Sequence, residues 1–250
     1  MSGHSKWANI KHRKGRQDAA RSKTFGKLIR EITVAARMGG GDANGNARLR
    51  LAIDKARGSN MPKDTIERAI AKGTGEGSEG QLEEVTYEGY GANGVAIMVE
   101  AITDNRNRTA GEIRHIFTKH GGNLGTDGCV AWMFKTWGIV QVDREKASEE
   151  RVIEVALDAG ADDVVEEGDY LEVRTTPDSF DDVLEKIKAA GFTPIEAEVS
   201  RRPGNVVTLD ADQAGRILKL LDLLQDHDDV QKVYSNFDVP DEVLEKLSQG

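Results

Sequence analysis

Apolar positions recur every three to four residues through the first third of the chain and every second residue beyond it, so the pattern alone divides the sequence. Phe25, Leu28, Ile29, Ile32, Ala35 and Ala36 keep helical spacing and predict a helix over 18–38, with Gly39 where a C-terminal cap belongs. A glycine-rich run at 39–45 turns the chain into a second helix with Leu49, Ala52, Ile53 and Ala56 on one face, stopping near Gly58. Asn60, Met61 and Pro62 open a third helix, whose apolar face is Ile66, Ala69 and Ile70 and whose end is Gly73. Residues 73–80 then read as a linker. Their glycine spacing resembles a phosphate loop, but the run follows a helix and is flanked by acids.

From residue 81 the period is two. Residues 85–92 and 95–102 face each other across Asn93 and Gly94, a strong hairpin signal. Thr109 and Glu112 fit a capping box that opens a helix through Ile113, Ile116 and Phe117 to Gly121, with a short strand at 123–124. After Trp132 the pattern is strand 133–142, helix 148–159, strands 163–167 and 170–175, helix 177–190, strand 193–200. That is the ferredoxin-like order, in which two helices cover one face of a four-stranded antiparallel sheet. A strand at 206–209, a helix at 212–225 and a strand at 230–237 close the chain. This last unit is incomplete alone but completes the unit at 95–124. The expected fold class is therefore α+β: an N-terminal three-helix domain (1–72), and two ferredoxin-like α/β domains, one (132–203) inserted in the other (81–131 plus 204–240). A simple tandem of three α/β pieces is the alternative.

Charge changes this picture from architecture to function. The 250 residues carry 34 Lys and Arg against 43 Asp and Glu, a net charge of −9. Residues 1–72 nevertheless hold 17 basic against 6 acidic groups, a net of +11, while 73–250 carry −20. The first thirty residues are the most concentrated, with Lys6, Lys11, Arg13, Lys14, Arg16, Arg21, Lys23, Lys27 and Arg30 set against the single acid Asp18 and interleaved with Trp7 and His12. Such a stretch binds polyanions, and the acidic remainder would orient the molecule in a nucleic acid's field. A merely solvated basic tail is the alternative. The inserted segment 132–203 has nine basic and 18 acidic residues, which makes it a candidate protein-binding surface.

Catalytic signatures are scarce. There is no Walker P-loop, GxSxG elbow or HExxH, and a single cysteine, Cys129, excludes internal disulfides and Cys-based metal or redox motifs. The five histidines include no i, i+3 or i+4 pair, so no metal and no cofactor are expected. Asp226, Asp228 and Asp229 read as a solvated loop, because the glycine and terminal Glu of a calcium loop are missing. One further polar cluster stands out. Asp104, Asn105, Arg106, Asn107, Arg108 and Thr109 sit at a predicted helix start, where free N–H groups and two arginines suit a phosphate of RNA or DNA. An acylphosphatase-like enzyme using Arg and Asn, or an exposed capping loop, are the other readings of this cluster. Paired aromatics for base stacking are absent. No apolar stretch approaches the ~20 residues of a membrane span, and the N-terminus shows neither a secretory core nor a myristoylation glycine, so a cytoplasmic location is expected.

The stretch from Gly3 through His4, Ser5, Lys6, Trp7, Ala8, Asn9 and Ile10 to Lys11, His12, Arg13 and Lys14, continued by Asp18 to Lys23, closely resembles the start of the YebC/PmpR family. Asn60-Met61-Pro62-Lys63, Tyr87-Glu88-Gly89-Tyr90, the 104–109 cluster and Gly121-Gly122-Asn123-Leu124 are similar to that family's other signature stretches. The resemblance implies a three-domain cytoplasmic protein without enzymatic activity. It also implies two roles: a DNA-binding regulator of transcription, the usual label of bacterial members, or an RNA- or ribosome-associated translation factor acting on synthesis stalled at proline runs. The residues themselves lean to nucleic acid in either case. Arg48, Arg50, Lys55 or Arg57 could present to a major groove, but no helix-turn-helix spacing is evident. The expected contacts are the basic N-terminus, from Lys6 to Arg30, with Arg106 and Arg108; no membrane and no small-molecule substrate are expected.

Overall fold

The computed structural model describes residues 17–75, 82–240 and Val243, with side chains from Ser22 onward. Residues Phe134–Gly204 form one compact unit, and the described residues on either side of it form a second.

The second unit begins with α1 (Gln17–Gly39), α2 (Ala47–Gly58) and α3 (Lys63–Thr74). Ile32, Leu49, Ala56, Ile66 and Ala69, which the periodicity selects, make their common core together with Met61 from the segment that opens α3. Asn46 sets the angle between the first two helices. Its Oδ1 accepts the Leu49 N–H at 3.1 Å as the α2 cap, while its Nδ2 donates to the carbonyls of Ala35 and Gly40 at 2.8 Å. The left-handed turn after α1 falls at Gly40 (φ +84°), one residue beyond the expected glycine. Gly73 is required for packing: a Cβ there would stand 2.3 Å from the Thr33 carbonyl, so only glycine lets α3 approach α1 this closely.

A hairpin of β1 (Glu83–Tyr90) and β2 (Ala96–Thr103) follows, then α4 (Arg106–Lys119) and β3 (Asn123–Leu124). The hairpin connection is longer than expected. Tyr90 pairs with Ala96, and between them a 3₁₀ turn at Ala92–Gly94 places Asn93 (φ 62°) and Gly94 (φ +74°) in left-handed conformations. The start of α4 also differs. Asn105, not Thr109, is the N-cap, accepting the Arg108 N–H at 3.1 Å, which leaves Thr109 inside the first turn and fully buried. Beyond β3, the buried Glu88 carboxylate on β1 accepts backbone N–H bonds from Gly128 (2.8 Å), Val130 (2.8 Å) and Ala131 (2.7 Å), which fixes the segment that leads out of this unit.

The inserted unit runs β4 (Phe134–Asp143), α5 (Glu149–Ala159), β5 (Asp163–Glu167), β6 (Tyr170–Thr175), α6 (Phe180–Ala189) and β7 (Pro194–Pro203). Its sheet order is β5-β6-β4-β7, antiparallel throughout, as the ferredoxin-like order requires. Phe180, Val183, Leu184 and Ile187 give α6 its buried face. Glu172 on β6 is buried against two arginines, receiving Arg202 Nη2 at 2.7 Å and Arg174 Nε at 2.8 Å.

The chain then returns through β8 (Val207–Thr208), α7 (Ala211–Asp226), β9 (Val230–Ser235) and β10 (Phe237–Asp238). β9 joins the first sheet, whose order is β3-β1-β2-β9. Ile97, Val99, Ile113, Phe117, Ile217, Leu221, Leu224 and Val233 belong to one core with this sheet, α4 and α7. The strand arithmetic of the sequence placed 206–209 in that sheet; the hairpin strand β1 occupies the place instead. β8 is only two residues long and pairs in parallel with β10, a separate ribbon. The architecture is α+β throughout, with antiparallel four-stranded sheets.

Candidate functional site

The structure sorts the basic residues singled out in the sequence into groups with different surroundings. Lys6, Trp7, Lys11, His12, Arg13, Lys14 and Arg16 lie outside the described residues, as does the side chain of Arg21. Lys23, Lys27 and Arg30 form one stripe of α1, at i, i+4 and i+7. That stripe meets the end of α7. Lys23 Nζ donates to the Asp226 carbonyl at 3.2 Å, Lys27 Nζ to the Gln225 carbonyl, and Arg30 to the Asp228 carbonyl and to Asp229 Oδ1, the last at 3.1 Å. The physical cause is the C-terminus of α7, which exposes carbonyls and the negative end of the helix dipole but has no basic residue of its own in its last turn. α1 supplies the missing cations. Burial pushes the Lys27 ammonium below the ordinary lysine value despite the nearby Asp226 charge.

Arg108 joins the same cluster from α4. Its Nη2 reaches Asp229 Oδ2 at 2.7 Å and Asp104 Oδ1 at 3.0 Å. Thr109 Oγ1 donates to Asp229 Oδ2 at 2.7 Å and stands 2.8 Å from Thr103 Oγ1. Asp229 is thus no solvated loop residue: its side chain is 3% exposed and carries two arginines and a threonine. Burial works against its charged form, but the bonds from Thr109 and Arg108 and the charge of Arg30 outweigh it and hold the carboxyl below the usual aspartate range. Nothing local in the sequence marks this role, since its partners lie on α1 and α4, far from it in the chain. Arg106 is exposed, and its backbone carbonyl accepts a bond from Tyr87 Oη at 3.3 Å.

An open cleft of about 770 Å³ adjoins the cluster, lined among others by Arg30, Arg108, His115, Glu112 and Asp228. Carboxylates outnumber cations along it. Of the two arginines in the 104–109 loop, Arg108 is engaged by carboxylates and Arg106 is exposed. Glu112, His227 and Asp229 bring potential metal-ligand atoms together. They are engaged with one another and with arginines: His227 Nδ1 accepts the Asp229 N–H at 3.2 Å, its Nε2 faces Glu112 Oε2 at 2.8 Å, and Asp229 meets the guanidinium groups of Arg30 and Arg108. On α2, Arg48 is held between Glu31 (2.8 Å) and Glu84 (2.6 Å). Arg57 lies 3.9 Å from Asp54, and Arg50 and Lys55 also have partners. These four are not poised as a set of base-reading side chains.

The fold and this charge arrangement define a class: an α+β protein with a basic helical domain joined through ion pairs to an α/β domain that carries an acidic insertion. Residues 5–76 match the family model described as the TACO1/YebC protein N-terminal domain, and 82–237 match the model for the TACO1/YebC second and third domain. The chain belongs to the TACO1/YebC family. A relative from Magnetococcus marinus is 58% identical over 249 residues, covering 99% of this chain and all of the relative, and another from Dictyoglomus turgidum is 55% identical with the same coverage. Both carry the name "probable transcriptional regulatory protein". The crystal structure of a conserved hypothetical protein from Aquifex aeolicus is similar, with a TM-score of 0.84 and 46% identity over 92% of this chain and 95% of that one. Among the described residues, no helix is long and apolar enough to cross a membrane.

Proposed function

We propose that this protein is a non-enzymatic, nucleic-acid-binding regulator of gene expression acting in the cytoplasm, with phosphates contacted chiefly by the basic groups that precede α1. The observation that carries this reading is charge segregation: residues 1–16 contain Lys6, Lys11, Arg13, Lys14 and Arg16 and no acid, in a chain whose remainder is strongly acidic. The names borne by full-length relatives support a regulatory role. Arg108 is committed to Asp229 and Asp104, so an acylphosphatase-like reaction would rest on the exposed Arg106, and turnover of an acyl phosphate that is lost in Arg106→Ala would overturn the non-enzymatic reading.

Two targets share this chemistry, a DNA duplex and ribosomal RNA. Arg48, locked between two glutamates, favours backbone contact over base readout, which keeps the translational reading open beside the transcriptional one. Competitive binding of the intact protein to duplex DNA and to purified ribosomes at near-physiological salt tests both. A variant with Lys11, Arg13, Lys14 and Arg16 changed to Gln should lose most affinity for the true target. Preference for one duplex over unrelated competitor DNA would mark a transcriptional regulator; preference for ribosomes, with only salt-labile DNA binding, would mark a translation factor. Affinity indifferent to salt and to the four changes would refute the proposal.

A further inference from the structure

We propose that the contact between α1 and the end of α7 is autoinhibitory: Lys23, Lys27 and Arg30 are masked by the 225–229 segment, and nucleic-acid phosphates displace that segment to take the same three cations. This rests on the nucleic-acid reading above and adds a conformational step to it. The acceptors imitate a phosphate backbone, since three carbonyls and two carboxylates engage successive turns of a single helical stripe.

Release leaves nothing stranded. Gln225, Asp226 and Asp228 are exposed, so water can take over their carbonyls once the cations leave. Asp229, the buried member, keeps Arg108 and Thr109 after Arg30 departs. The stripe in turn gains stronger acceptors where charged phosphate oxygens replace the neutral carbonyls of Gln225, Asp226 and Asp228, while at Arg30 and Lys23 phosphate also replaces the Asp229 and Asp226 carboxylates. The Lys23–Asp226 contact lies between exposed groups and is the salt-labile kind that counter-ion release on a polyanion can outcompete. Arg48, which pairs with Glu31 on its own helical domain and Glu84 on β1, stays as a tether away from the exchanged stripe.

The test fixes the mask shut. In a Cys129→Ser background, the exposed Ser22 and Gln225 are changed to Cys and joined by a thiol-cleavable bis-maleimide linker. Affinity for a 30-mer duplex DNA and a 30-mer single-stranded RNA is then measured across salt, before and after cleavage. Masking predicts a loss of about tenfold or more in the linked form, a salt slope shallower by about two to three counter-ions, and recovery of both on cleavage. Equal affinity and slope before and after cleavage would overturn it. If neither form binds DNA or RNA, the functional proposal fails. The masking is then decided by spin labels at the same two positions in unlinked protein with inorganic polyphosphate added: a broadened distance distribution supports it, and an unchanged one overturns it.

Discussion

Arg108 and Asp229, separated by 121 positions in sequence, meet at 2.7 Å where α4 begins and β9 follows α7. Asp229 is also the only buried carboxylate among the described residues that receives Arg30 from the helical domain, so one side chain fastens three elements. Asp229→Asn keeps the shape but removes the charge that both guanidinium groups face. We expect a loss of about 2–4 kcal/mol in urea unfolding, because an uncompensated site remains where a buried pair stood. Asp228→Asn, on the exposed neighbour, should stay within about 0.5 kcal/mol.

Acid should weaken the fold through the same group. Asp229 and Glu172 are both held below their ordinary values of 3.8 and 4.5, Asp229 by Thr109, Arg108 and Arg30, and Glu172 by Arg202 and Arg174, in each case against the opposing effect of burial. A depressed carboxylate contributes stability that is complete above its unfolded value and is lost as pH falls through its folded one. Unfolding free energy should therefore be flat near neutrality and decline below about pH 4, with a shallower decline in Asp229→Asn. Glu167 acts oppositely, because burial raises it; its ionised form is disfavoured in the fold, so protonation there offsets part of the loss. Chemical denaturation followed at intervals between pH 3 and 7 would check the sign.

What the sequence made legible follows from how local each signal is. Helical spacing alone located Ile32, Leu49, Ile66 and Ala69, and these are the core of the helical domain. The β-α-β-β-α-β pattern after Trp132 appears as the sheet β5-β6-β4-β7. Non-local matters were hidden. A two-residue β8 cannot be told by pattern from a strand of the main sheet, and the capping motif at Thr109 competed with Asn105, whose side chain won because Thr109 is drawn inward by Asp229. The basic stripe was equally ambiguous. Lys23, Lys27 and Arg30 read as phosphate contacts from their charge, and nothing in their neighbourhood shows that they also serve the end of α7, which has no cation of its own.

Glu88 illustrates a carboxylate used as a latch. Its Oε1 accepts the Gly128 N–H and its Oε2 those of Val130 and Ala131, so an amide in its place keeps an acceptor for one side only and leaves the donors of the other side unmet. Glu88→Gln turns an amide NH₂ toward them and should cost about 2–3 kcal/mol. The loss should appear as faster amide hydrogen exchange at Gly128, Val130 and Ala131, with the helical domain unaffected.

Glycines of the helical domain separate packing from chain entropy. In Gly73→Ala the new Cβ would meet the Thr33 carbonyl at 2.3 Å and the Ala36 Cβ at 2.9 Å, so α3 must move off α1, at a cost of about 1–3 kcal/mol. Gly26 also lies within a helix, but a Cβ there meets nothing within 4 Å. Gly26→Ala should instead stabilise by about 0.5–1 kcal/mol. Thermal unfolding of the two variants should move in opposite directions; a shared direction would mean that the close α1–α3 approach is not what requires Gly73.

Arg106 and Arg108 look equivalent in sequence, two residues apart in one basic loop, yet the structure gives them different work. Arg108 is tied to Asp229 and Asp104, while Arg106 is exposed and its carbonyl accepts Tyr87 Oη. Arg108→Ala should therefore destabilise, by about 1–3 kcal/mol, because it removes a partner from a carboxylate that is 3% exposed. Arg106→Ala should leave stability within about 0.5 kcal/mol. If the loop contributes a phosphate contact, it is Arg106 that supplies it, and its loss should weaken nucleic-acid binding uniformly across sequences and reduce the salt slope by about one. Measuring unfolding and binding on the same two variants separates these outcomes. Arg106→Ala that binds normally would confine the interface to the helical domain and the residues before it.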